Sequence, residues 1–69
     1  MPVVEEIAEK LGVSEEEVRE ALEVLGLTVT DLLSQGNMVM LTAQLTGMQT
    51  VDVLTDENLF AQITQLQTD

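Results

Sequence analysis

Four glycines divide this chain into pieces that suit short helices and little else. Gly12, Gly26, Gly36 and Gly47 each follow a segment whose apolar residues recur at helical spacing. Glycine is the residue that most readily takes the left-handed conformation in which helices end. The pattern predicts a mainly α fold: a compact bundle of four to five short helices in one small acidic domain over residues 1–69. No internal repeat and no linker long enough to separate two domains is visible.

In the first segment, from Pro2 to Leu11, Pro2 suits the first helical turn, where no donor is needed. Val4, Ile7, Ala8 and Leu11 make one apolar face at i, i+3, i+4, i+7, and Glu6 stands four residues before Lys10, a spacing for an ion pair. The second segment carries the clearest signals. Ser14 and Glu17 form a capping box, Glu15 and Glu16 lie at the positive end of the helix dipole, Val18, Ala21, Leu22 and Leu25 form the buried stripe, and Gly26 stops it. In the short third segment Thr28 caps, and Val29, Leu32 and Leu33 face inward before Gly36. The fourth is read as a helix from a cap at Asn37 to Thr46. Met38, Leu41 and Leu45 share a face, but Val39, Met40 and Ala43 are apolar too, so this helix is either central or at an interface. A rival reading makes strands or a hairpin within 38–54, because Val51 and Val53 alternate with Thr50 and Asp52. The last helix is expected over Asp56 to Leu66, capped by Thr55, with Leu59, Phe60, Ile63 and Leu66 on one side.

What holds such a bundle together must be aliphatic. A chain of 69 residues has a thin margin of stability. It has no cysteine for disulfides and no histidine for a structural zinc, and its aromatic content is Phe60 alone. Apolar residues make up 45% of the chain, enough for a folded core. Charge is lopsided: thirteen acids face Lys10 and Arg19, for a net charge of −11. Binding to nucleic acid rests on cations that neutralise phosphates, so neither direct nucleic-acid binding nor a membrane partner is expected. The Met1–Glu6 start lacks a basic region followed by an apolar run, so no signal peptide is expected. The uncharged stretch from Leu32 to Val51 is too polar to span a bilayer. A cytoplasmic protein is expected.

The run Ile7-Ala8-Glu9-Lys10-Leu11-Gly12-Val13-Ser14-Glu15-Glu16-Glu17-Val18 has the look of a helix-turn-helix. In a DNA-binding version the second helix would enter the major groove. Here that helix carries Glu15, Glu16, Glu17, Glu20 and Glu23 against Arg19, and phosphate would repel it. The hairpin is read as a packing unit. The same stretch, through Val4-Glu5-Glu6-Ile7-Ala8-Glu9-Lys10-Leu11-Gly12-Val13, then Glu17-Val18, Leu22, Leu25-Gly26-Leu27 and more weakly Leu41-Thr42-Ala43-Gln44, resembles the small helical N-terminal domain of bacterial translation initiation factor two over residues 3–45. The resemblance implies helices around a small core, no catalysis, and a domain that faces the ribosome or links it to a GTPase module.

Chemistry finds little to work with. Nucleophilic catalysis needs a base beside the nucleophile, and the chain has no His, Cys or Tyr. Ser14 is better used as a cap, Ser34 sits near a helix end, and the glutamates lie on polar faces. No catalytic residue, cofactor site or metal site is assigned. Asp52, Asp56, Glu57 and Asn58 offer hard oxygens, but without the glycine of a calcium loop, and helix capping accounts for Asp56 and Glu57 better.

The methionines are the most suggestive feature. Met38, Met40 and Met48 either fill gaps in an aliphatic core or make an adaptable binding surface. With Leu41 and Leu45 they are the interaction candidates, and Glu15, Glu16, Glu20 and Glu23 are candidates for an acidic face. The expected function is a non-catalytic protein-interaction domain, an adaptor or a self-associating homo-oligomer, whose partner is a basic protein or a second copy. Two alternatives remain: an acidic mimic of nucleic acid that inhibits a basic nucleic-acid-binding protein, and a structural or designed domain with no evolved ligand.

Overall fold

The computed structural model describes residues 3–68 and contains five α-helices and one 3-10 turn: α1 (Val3–Leu11), α2 (Glu15–Leu25), the 3-10 turn (Thr30–Leu33), α3 (Gln35–Thr46), α4 (Thr50–Thr55) and α5 (Glu57–Thr68). They form a compact all-helical globule with no strand among the described residues. The placement of Pro2 at a helix start lies outside the described residues.

Three helix ends share one construction. Gly12, Gly26 and Gly47 have φ near +70°, and the apolar residue after each sends its N–H back to the turn before: Val13 to the Ala8 carbonyl at 3.0 Å, Leu27 to Leu22 at 2.9 Å and Met48 to Ala43 at 3.2 Å. This is the Schellman closure, in which a hydrophobic contact accompanies the reversed chain. All six of these side chains belong to or pack against the core. The α2 capping box is complete, with Glu17 N–H donating to Ser14 Oγ and Ser14 N–H to Glu17 Oε1, both at 3.0 Å.

Gly36 does not stop a helix. It lies in the first turn of α3, whose cap is Ser34 rather than Asn37: Ser34 Oγ accepts the Asn37 N–H at 3.4 Å. Asn37 instead uses its side chain, donating from Nδ2 to the Asp31 carbonyl at 2.9 Å. The third segment departs from expectation as well. Leu32 is buried, but Val29 is 43% and Leu33 82% exposed. Residues 29, 32 and 33 share a face at the 100° step of an α-helix. At the 120° step of a 3-10 turn, Leu33 rotates away. Thr28 is held by Asp31, whose Oδ2 accepts from Thr28 N–H at 2.8 Å and Oγ1 at 3.1 Å.

Helix α3 is the hub. It packs against α2, the 3-10 turn, α4 and α5, and buries Met38, Val39, Leu41, Thr42 and Ala43. Its near-uniform apolarity reflects this central place. The buried Thr42 hydroxyl is satisfied within the helix, donating to the Met38 carbonyl at 2.8 Å, as a polar group taken from water must be.

Residues 50–54, which the rival reading made a strand, are helical. Asp52 and Val53 donate to the Gln49 carbonyl at 3.0 and 3.1 Å. Of this segment's apolar residues only Val53 is buried, while Val51 and Leu54 face solvent. The Val51/Val53 alternation therefore marks a single inward residue on a short helix. Asp56, not Thr55, caps α5: its Oδ1 accepts from Asn58 and Leu59 N–H at 3.0 and 3.1 Å, whereas the Thr55 hydroxyl donates back to Val51 at 3.0 Å. α5 buries Ile63 and leaves Leu59, Phe60 and Leu66 half-buried. Two side-chain bonds tie it across the fold. Lys10 Nζ donates to Gln65 Oε1 at 3.3 Å, in place of the expected partner Glu6, and Gln67 Nε2 donates to the Leu32 and Leu33 carbonyls, each at 3.2 Å.

The glycines separate experimentally. An alanine Cβ at Gly36 meets only Ser34 Oγ at 3.7 Å, so Gly36→Ala is expected to stabilise by about 0.5 kcal/mol through helix propensity. Gly26→Ala, at φ +69°, is expected to cost about 1–2 kcal/mol. Urea denaturation of the two variants beside the parent chain measures both signs.

Candidate functional site

The five apolar candidates divide between core and surface. Met38 and Leu41 are 2% and 0% exposed, so neither reaches a partner; both fill the centre of the bundle because α3 is enclosed on several sides. Met40 is 41% exposed, and Leu45 and Met48 are half-buried. The surface members lie along a furrow between α2 and α3. One end is lined by Leu25, Met40, Ala43, Gln44, Met48 and Thr50. The adjoining hollow is lined by Glu17, Glu20, Ala21, Val24, Gln44 and Leu45. Gln44 belongs to both and joins them.

The helices position this furrow simply. α2 turns Val18, Ala21 and Leu22 into the core, which leaves Glu17, Glu20 and Val24, at i, i+3 and i+7, on the side that meets α3. The Gly47 closure folds Met48 back beside Ala43 at the other end. The hollow beside Met40 and Met48 is thus mainly apolar, and the one beside Val24 carries the acids of α2.

Of the acidic candidates, Glu20 lines the furrow, and Glu16 and Glu23 are exposed at i−4 and i+3 from it, along the same side of α2. Glu15 is half-buried and engaged otherwise, accepting from Arg19 Nη2 at 3.1 Å, the single ion pair among the described residues. It does not contribute a free carboxylate to the row.

Of the lining residues that the sequence did not single out, Val24 and Leu25 are the large apolar ones. Val24 is 72% exposed, and its signal was its place off the Val18–Ala21–Leu22–Leu25 stripe, where a soluble helix normally carries a polar residue. Leu25 was read as core, yet it also lines the furrow.

The acids and serines of the described residues lie at or near the surface. Every carboxylate there is exposed or half-buried, no three metal-capable side chains gather, Ser14 and Ser34 serve as helix caps, and the Asp56 carboxylate is taken up by two backbone N–H groups. None of the described helices is long and apolar enough to cross a membrane. No family model, curated protein or solved structure matches the chain.

Adjacent residues on α3 test the division. Leu41→Ala is expected to cost about 2–5 kcal/mol, the range for an enclosed leucine. Met40→Gln is expected to stay within about 1 kcal/mol of the parent, as a surface change does. Thermal melts of both read the contrast.

Proposed function

We propose that this chain is a non-catalytic protein-interaction module that receives a basic, partly apolar segment of a partner protein in the α2–α3 furrow. One observation carries the reading: Met40 and Met48 line one hollow, Val24 and the exposed Glu20 line the next, and Gln44 is common to both. An apolar floor gives affinity, and methionine adapts its three rotatable bonds to whatever lies on it. The carboxylate wall selects Lys- or Arg-bearing partners and speeds their encounter.

A second reading draws on the row Glu16, Glu20 and Glu23. A line of exposed carboxylates on one rigid helix offers a basic nucleic-acid-binding protein a substitute for phosphates. The two readings respond differently to the same variants. A furrow interaction is lost when its floor is charged; a mimic tolerates an added carboxylate and fails when the row is neutralised.

The experiment is capture of partners from a native lysate, followed by titration of a captured protein against variants. The furrow reading expects Val24→Glu/Met40→Glu to weaken binding by about tenfold or more, equal to about 1.4 kcal/mol, with the melting curve near that of the parent chain. Affinity also falls as salt rises. Binding that survives this pair but is lost in Glu16→Gln/Glu20→Gln/Glu23→Gln supports the mimic. Binding indifferent to both sets overturns both readings.

A further inference from the structure

The chain offers an oxidant few points of attack, and one of them stands in the furrow. It has no Cys, Trp, Tyr or His, so its readily oxidised atoms are the sulfurs of four methionines. Three of these, Met38, Met40 and Met48, lie within the described residues, and the fold sets them apart. Two residues apart on α3, Met38 and Met40 are turned about 200° from each other, two steps of about 100°. Met38 is 2% and Met40 41% exposed. Met48 is half-buried and packs against the core. Met40 and Met48 line the hollow that Leu25 and Ala43 share.

We infer that Met40 is a site of reversible oxidation to the sulfoxide, and that this change closes the furrow to a basic, partly apolar segment. The second clause rests on the furrow reading above; the first does not. In the step, the Met40 sulfur attacks one oxygen of a hydroperoxide. An S–O bond forms and the O–O bond breaks. The sulfur-bound oxygen gives up its proton to the departing oxygen, which leaves as water or an alcohol. Sulfur loses two electrons and the peroxide gains them. A thiol-dependent sulfoxide reductase reverses the change: two thiols become a disulfide, and the oxygen leaves as water.

Position makes this a change of surface and not of fold. Oxidation turns a flexible apolar side chain into a polar one. At Met38 the new oxygen would be enclosed without a partner, at high cost, and enclosure also keeps peroxide away. At Met48 it would disturb a side chain that packs on the core. At Met40 it points into water, and the core beneath, with Met38, Val39 and Leu41, keeps its contacts. A partner's apolar group seated there must then strip water from the oxygen and return no hydrogen bond.

The test exposes the intact chain to dilute hydrogen peroxide and locates the added oxygen by tandem mass spectrometry, with Met1 scored on its own fragment. Met40 is expected to oxidise ahead of Met48, and about tenfold or more faster than Met38, which must wait for an opening of the fold. Helical signal and melting curve should stay those of the parent. Binding is read with a short synthetic peptide of lysine and leucine, at about 0.15 M salt, where distant acids are screened. Oxidation should weaken it by about tenfold or more, and the reductase should restore it. Met40→Leu, close in volume, should bind like the parent before and after peroxide. Equal oxidation of Met38 and Met40, a chain that melts on oxidation, or loss of binding by oxidised Met40→Leu would overturn the assignment to Met40. If Val24→Glu weakens the peptide but the sulfoxide does not, the switch fails and the furrow reading stands. A peptide indifferent to Val24→Glu removes the furrow reading and the switch with it, and leaves the order of oxidation to be judged by mass alone.

Discussion

The enclosure of α3 is the constraint on which the other contacts depend. With no disulfide, no histidine and one aromatic side chain, the chain can gain stability only by removing aliphatic surface from water. A helix buried along one stripe contributes a few side chains; a helix surrounded by neighbours contributes many more per residue. α3 buries five residues in one helix, and its Met38, Val39, Leu41 and Ala43 share one core cluster with residues of every other element, among them Ile7, Val18, Leu32, Val53 and Ile63. The absence of charge from Gln35 to Thr46 follows from that position. So does the concentration of acids on α1 and α2, whose outer faces meet water.

Much of this was legible in the sequence where local chemistry and apolar spacing agreed. The Ser14–Glu17 box, the stripes of α1 and α2 and the three glycine closures all appear as read. The glycines also carried a distinction that the reading passed over. Gly12, Gly26 and Gly47 are followed by Val13, Leu27 and Met48, apolar residues that fold back onto the core, whereas Gly36 is followed by Asn37. The Schellman closure needs that apolar residue as well as the glycine. Ser34, three residues before the Asn37 N–H it accepts, was the competing signal. The short elements were harder. α4 has too few residues for periodicity to separate a helix from a strand, and the 3-10 turn changes the angular step on which the inward placement of Leu33 relied.

The surface was less legible than the core because exposure depends on neighbours that a sequence does not specify. Met38 and Met40 are two residues apart, and only the arrangement of α2, α4 and α5 around α3 decides that one is enclosed and the other open. The acidic row was readable from helical spacing alone, except that Glu15 pairs with Arg19. Apolar residues standing outside an otherwise regular stripe, Val24 above all, were the available sign of a surface with a second use.

The bonds from α5 bear on how the chain reaches this state. α1 with α2, α2 with α3, and α3 with α4 are neighbours in sequence, and such contacts close short loops at small entropic cost. α5 alone returns to the beginning, through Gln65 to Lys10 and through Gln67 to the 3-10 turn. Low contact order favours rapid folding, and it lets the first four helices assemble before the long loop is closed. The turn that holds Leu33 outward thus depends on a bond from the far end of the chain, Gln67 to the Leu32 and Leu33 carbonyls.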